Sequence, residues 1–413
     1  MILLVLLVLA SALVVPFARA QGGLATIAVP GTPQTLAYDS GKGEVFVVNL
    51  GPRGSVVSDT TNTVVENLTL PAGSSPLGAV YDSGKGEIFV ADSGNAAVSV
   101  ISDSTYKVVA NVGVGGTPDG VAYDSAKGEV FVANGLDDTL SVISDSSNTV
   151  VATVTLPTGS SPEGLAFDPA KGEVFVADNG ADNVSVISDS TNAVVANVVL
   201  EGTPTGLVYD SGKGEVFANN YGDGFSVISD ANNAVVASGT LPAGGSVGQI
   251  AYDPAKGDVI VGNYNSNTIS VISDSSNRVV ANVTVGSAPY DVAYDSGKAE
   301  VFVAHSGNST VSVVPDASLS STTSTTSTTS SSTSYIVSSF SASSATSTYS
   351  TATSISSSTS SSPSTASATT SAVPEFPYQF LVAAAFTVLI AASYLLVRRR
   401  GTARGPQEAA AGT

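Results

Sequence analysis

The chain has no cysteine and no tryptophan, and only one histidine and one methionine among its 413 residues. Without cysteine there is no disulfide framework, no thiol nucleophile and no thiolate metal site. A single imidazole, His305, excludes histidine triads and three-histidine metal centres. Cations are scarce too: 15 Lys and Arg against 34 Asp and Glu give a net charge of −19. Binding to a phosphate backbone needs clustered Lys and Arg, so nucleic acid is not expected as a partner.

What the chain does have is repetition. The stretch YDSAKGEVFVANG, residues 123–135, recurs in seven versions, its aromatic-Asp pair returning after 43, 42, 44, 42, 43 and 42 residues. A period of about 40 to 45 residues marks a solenoid or a propeller. Each repeat reads as four short strands; in the third these are 120–124, 129–134, 139–144 and 150–156. All four are rich in Val, Ile and aromatics and are bounded by Gly, Asp, Asn, Ser or Pro. The last repeat stops after three strands, at 310–314, whereas LATIAV at 24–29 is a fourth-strand sequence with no repeat before it. Joining the two completes a seventh unit and leaves no long open edge. The expected fold class is therefore all-β: a seven-bladed β-propeller of four-stranded blades over residues 21–316, with three-plus-one closure by the N-terminal strand. That region holds 10 Lys and Arg against 32 Asp and Glu, a surface that stays soluble and attracts cations.

The third repeat writes Thr117-Pro118-Asp119-Gly120-Val121-Ala122, Phe131-Val132-Ala133-Asn134 and Thr139-Leu140-Ser141-Val142-Ile143-Ser144. It resembles the YVTN-type β-propeller repeat of archaeal surface-layer proteins, with FVAN in place of YVTN. The resemblance spans about 290 residues. It implies the propeller fold and says less of function, since that repeat serves surface proteins and enzymes alike.

The flanks describe a secreted, anchored chain. Residues 1–20 are apolar and end Ala18-Arg19-Ala20, which reads as a signal peptide cut before Gln21, although no positive charge precedes the apolar core. Residues 317–373 carry no charge and no Gly, only Ser, Thr, Ala and a few apolar residues. Such a tract is expected to be a disordered, O-glycosylated stalk. Residues 378–397 form an uncharged 20-residue run followed by Arg398, Arg399 and Arg400. As a helix this run would span about 30 Å, the thickness of the hydrocarbon core, and the arginines would hold the tail 401–413 in the cytoplasm. The preceding Val373-Pro374-Glu375-Phe376-Pro377 resembles the PEF-type sorting signal of archaeal surface proteins, so 374–400 is read as motif, helix and basic stop. That resemblance implies processing to a lipid anchor; the simpler expectation is a retained single-pass helix with the propeller outside.

The recurring Asp-x-x-Lys-Gly-Glu lies between the first two strands of every blade, so its seven copies share one rim. Catalysis uses one constellation per molecule, whereas this one is printed once per blade. Asp capping backbone N–H groups and Gly at positive φ explain it as a tight turn, and the Ser-Asp-Ser stretch between strands three and four reads the same way. The opposite rim varies. There the second strands end in Asn49, Asp92, Asn134, Asp178, Asn220, Asn263 and His305, followed by seven different loops. Variable loops on a constant scaffold are where binding concentrates. Asp137, Asp138, Asp178, Asp182, Tyr221, Asp223, Tyr264 and His305 are the ligand-binding candidates, and inter-blade loops add Asp119, Glu163, Tyr290 and Asp291 to the same side.

Backbone capping is the competing role for the ring of second-strand ends. No cofactor is expected; Ca²⁺ is the ion an oxygen-rich ring would suit, but no D-x-D-x-D-G loop is present. N-glycosylation sequons stand at Asn67, Asn183, Asn282 and Asn308. The expected function is a membrane-anchored cell-surface protein, not an enzyme, whose extracellular propeller meets a protein or glycan partner in adhesion or an envelope layer. The alternative is a propeller enzyme resembling lactonases, lyases or quinoproteins, or a small-ligand or metal receptor, working through the central funnel.

Overall fold

A computed structural model describes residues 24–222, 224–242 and 248–319. Two compact units are distinguished, Met1–Thr328 and Thr329–Thr413, and every described residue falls in the first. The expected signal peptide, nearly all of the Ser/Thr tract, the PEF-like motif, the apolar run 378–397 and the basic tail lie outside the described residues.

Among the described residues twenty-eight strands form seven four-stranded antiparallel sheets. In the third blade these are β10 (Pro118–Asp124), β11 (Glu129–Asn134), β12 (Thr139–Ser144) and β13 (Thr149–Thr155), paired in sequence order. In the last sheet β1 (Ala25–Ala28) pairs with β28 (Thr310–Pro315), which continues to β27 (Glu300–His305) and β26 (Pro289–Asp295). Closure is thus three-plus-one, with Ile27 opposite Val311. Consecutive first strands touch all the way round, β26 meeting β2 (Pro33–Asp39), so the ring is complete.

Burial grades outward. Second and third strands are enclosed along almost their whole length, which is why EVFVAN and TLSVIS are nearly continuous apolar runs. Both of their faces are covered by neighbouring blades. Fourth strands alternate instead, as in KVVANVG, because only one face meets a neighbour. The core comprises seven hydrophobic clusters, each between two adjacent blades. A phenylalanine at the centre of the second strand, Phe131 in the third blade, is fully buried in six blades, with Ile260 in the sixth.

The repeated turn is scaffold. Asp124 Oδ1 accepts the N–H groups of Ala126 (2.9 Å) and Lys127 (3.3 Å), and Gly128 follows at φ +66°. A Cβ on Gly128 would stand 2.6 Å from the Asp145 carboxylate oxygens, so only glycine fits without displacement. Each turn lysine reaches the segment that follows the third strand of the next blade. Lys42 meets Asp103 at 3.3 Å, Lys127 meets Asp189 at 3.1 Å, and Lys298 meets Asp59 at 2.6 Å, closing the circle.

Candidate site at the channel mouth

First strands are innermost, and between them runs a channel holding a cavity of about 180 Å³. The inner edge of each first strand has no sheet partner and faces this channel. Gly78, Gly120 and Gly164 line it, and they are glycine because the strands approach too closely for side chains: a Cβ on Gly164 would lie 2.6 Å from Thr205 O. Among the polar side chains on this wall are Thr35, Gln249 and Asp291, the last a carboxylate. Asp291 accepts N–H groups from Leu36 and Val292, both at 2.7 Å, so the seventh blade satisfies an edge amide of the first. Burial raises its pKa to about 7.

One residue nearer the mouth stand Asp119, Glu163 and Tyr290, each following the proline that opens its strand or, for Asp291, lying one step deeper. Asp119 is half-buried and its carboxyl is pushed up to about 6 by desolvation. Glu163 rises further, to about 8, first from burial and then from the Asp119 charge, with the Asn179 side chain pulling the other way. The Tyr290 phenol is raised by burial and by the charges of Asp119, Asp291 and Glu163. Tyr264 meets Tyr290 edge-to-face, ring centroids 6.2 Å apart. Three carboxyls whose proton affinity is raised first by burial, flanked by two phenols, therefore converge on one opening.

The other residues expected on this rim have different surroundings. The second-strand ends are at most 4% exposed; Asn49 and Asp92 bond to the linkers that enter their blades, and others bond into their own sheets. Asn134 donates to Thr139 Oγ1 (3.1 Å) and Ser141 Oγ (3.0 Å), and Asp178 accepts from Ser185 Oγ at 2.5 Å. His305 holds Ser312 Oγ at 2.8 Å, and burial lowers its pKa to about 4. Asp137 caps Gly116 N–H, Asp138 caps the N–H groups of Gly159 and Ser161, and Asp182 accepts from Thr203 Oγ1. Tyr221 is 66% exposed, and Asp223 lies outside the described residues. Among the described candidates, Tyr264 joins the Asp119–Glu163–Tyr290 group through its ring contact with Tyr290. Among the described residues no three His, Cys, Asp or Glu side chains are arranged to hold a metal ion.

Fold and closure place the chain among seven-bladed β-propellers. No protein-family model and no curated protein matches it. Among solved structures it is similar to a chain of the Kuenenia stuttgartiensis hydrazine synthase, with a TM-score of 0.62 and 15% sequence identity over 73% of this chain and 98% of that one. At that identity the likeness concerns the fold.

Proposed function

We propose that the propeller is a binding head that receives a neutral, hydroxyl-rich ligand, such as the end of a glycan, at its channel mouth. The supporting observation is the convergence of Asp119, Glu163, Asp291, Tyr264 and Tyr290. Carboxyls that are part acid and part carboxylate both donate and accept hydrogen bonds, and tyrosine rings offer apolar faces to sugar C–H groups. The net negative mouth disfavours anionic ligands. The head would be displayed at a cell surface, a reading supported by the apolar leader, the Ser/Thr tract, the apolar run before Arg398 and the resemblance to archaeal surface-layer repeats and the PEF signal. On that reading Asn67, Asn282 and Asn308, which are exposed, are glycan acceptors, whereas Asn183 has its Oδ1 enclosed.

The test is oligosaccharide binding by the full-length chain. Tyr290→Ala and Glu163→Gln are expected to weaken binding at least about tenfold, a loss of roughly 1.4 kcal/mol, while Asp137→Asn leaves it unchanged. Equal affinity in wild type and Tyr290→Ala would sink the proposal. A second reading has its own support: two neighbouring carboxyls with raised pKa, Asp119 and Glu163, are what acid–base catalysis requires. Turnover of a bound sugar, lost in Glu163→Gln, would move the protein into that class.

A further inference from the structure

Fourth strands form the outer wall of the ring, and residues from those of the first two blades, β5 (Thr63–Thr69) and β9 (Lys107–Gly113), line a groove of about 580 Å³. That volume lies within the roughly 300 to 1,000 Å³ of small-molecule sites. The first blade supplies Asn67 and Thr69, the two defining residues of the Asn67-Leu68-Thr69 sequon, and the second supplies Tyr106, Lys107 and Val108. Leu68 is 3% exposed and packs into the core between these blades, which holds both sequon side chains on the outer face of the strand.

The asparagine position recurs around the ring with a different role. Asn111, Asn197 and Asn282 stand opposite a third-strand serine, and each accepts that serine's hydroxyl, at 3.0, 2.8 and 2.8 Å. In the first blade the facing pair is Ser55 and Asn67, and the bond is not made: Ser55 Oγ is enclosed without a partner, and Asn67 is exposed. The other sequon asparagines are held by neighbours. Asn282 accepts from Ser270 as above, Asn308 accepts from Thr310 Oγ1 at 2.8 Å, and Asn183 donates to Ala181 O at 3.3 Å. The Asn67 amide is left to turn into the groove.

The second blade departs from its counterparts at the same place. Asn62, Asn148, Asn192, Asn233 and Asn277 end their turns in the left-handed conformation, φ +50° to +53°, where the second blade has Tyr106 at φ +56°. Asparagine tolerates that conformation, whereas a bulky aromatic adopts it at a cost. The ring packs against the core between the two blades, its hydroxyl donates to Glu44 Oε1 at 2.9 Å, and Lys42 Nζ stands 5.4 Å from its centroid. An aromatic side chain is thus fixed in the groove that holds the sequon.

Resting on the reading that the head is displayed outside the cell, we propose that Asn67 is an N-glycosylation site whose first sugars lie in this groove against Tyr106, strapping the first blade to the second. A glycan is the occupant the groove specifies, because its point of attachment is part of the wall. Transfer from a phosphate-activated sugar forms a bond between Asn67 Nδ2 and the anomeric carbon and breaks that carbon's bond to phosphate. Nδ2 gives up one proton, and the phosphate departs with the bonding pair. Sugar C–H groups then rest on the Tyr106 ring, and sugar hydroxyls meet Glu66 and Lys107.

The full-length chain is produced in a host that attaches N-glycans at Asn-x-Ser/Thr and in one that does not, as wild type, Asn67→Gln, Tyr106→Asn and Tyr106→Phe. Occupancy is read by peptide mass spectrometry and stability by the melting temperature. Asn67 is expected to carry a glycan, and the glycosylated wild type to melt about 2 °C above its unglycosylated form. Asn67→Gln removes that difference. Tyr106→Asn, which installs the residue of five other blades, keeps the glycan and loses the difference, whereas Tyr106→Phe keeps both. Asn67 bare while Asn282 or Asn308 is modified would overturn the proposal and leave the display reading standing; all four sites bare would remove both. An occupied Asn67 with no increment in wild type, or with one unchanged in Tyr106→Asn, would mean a glycan projecting into solvent and would overturn the seat in the groove.

Discussion

The two faces of the disc are made from the same seven repeats and use them differently. On the turn face, Asp124, Lys127 and Gly128 and their counterparts do one job seven times, capping a turn and clasping the next blade. On the mouth face the corresponding positions diverge: Gln34, Leu77, Asp119, Glu163, Thr205 and Tyr290 follow the second residue of their strands through acid, amide, alkyl and phenol. A closed ring explains the contrast. Every junction must supply the same angle and spacing, so the groups that set it repeat, whereas a ligand needs one asymmetric set of groups at one place.

The contrast is tested most severely at Gly128. Gly128→Val forces a β-branched residue to φ +66° against Asp145, and a loss of more than about 2 kcal/mol is expected. Leu136→Ser on the mouth face, where the side chain is 69% exposed, should stay within about 0.5 kcal/mol. Comparable losses in chemical denaturation would dissolve the distinction between the faces.

The seventh blade offers a smaller effect of opposite sign. Ala299 occupies the left-handed position, φ +55°, that glycine holds in the other six turns. Ala299→Gly is expected to stabilise the protein by about 1 kcal/mol, read as a higher denaturation midpoint at unchanged slope. An unchanged or lower midpoint would mean that the seventh turn has adapted to its alanine.

Smallest is the removal of one clasp. Lys42 is 34% exposed in its pair with Asp103, so Lys42→Met should change stability by about 0.5 kcal/mol or less, with the difference shrinking in salt. A loss several times larger would show that the seven clasps act together rather than one by one.

Much of this is legible in the sequence. The period of the aromatic-Asp pair implied seven blades, and the orphan strand at 24–29 implied the closure seen between β1 and β28. Asp-x-x-Lys-Gly could be read as a turn because capping and positive φ are local properties of those residues. The partner of each lysine could not, since Lys127 and Asp189 lie on different blades and meet only through the rotation between them. His305 and Asp178 end second strands, as the repeat pattern implies, yet their side chains bond into their own sheets, which the pattern does not show.

Strand alternation and turn spacing by themselves determined which end of the disc each residue occupies, because a strand has two ends and the chain reverses at each turn. Distance from the axis was decided only by the tertiary structure. The sheet order puts first strands innermost, and that placement brings Asp119, Glu163, Tyr290 and Asp291 to the channel while burying the second-strand ends behind them. Radius is a property of the closed ring and of no single repeat, so the sequence pattern of one blade carries no record of it.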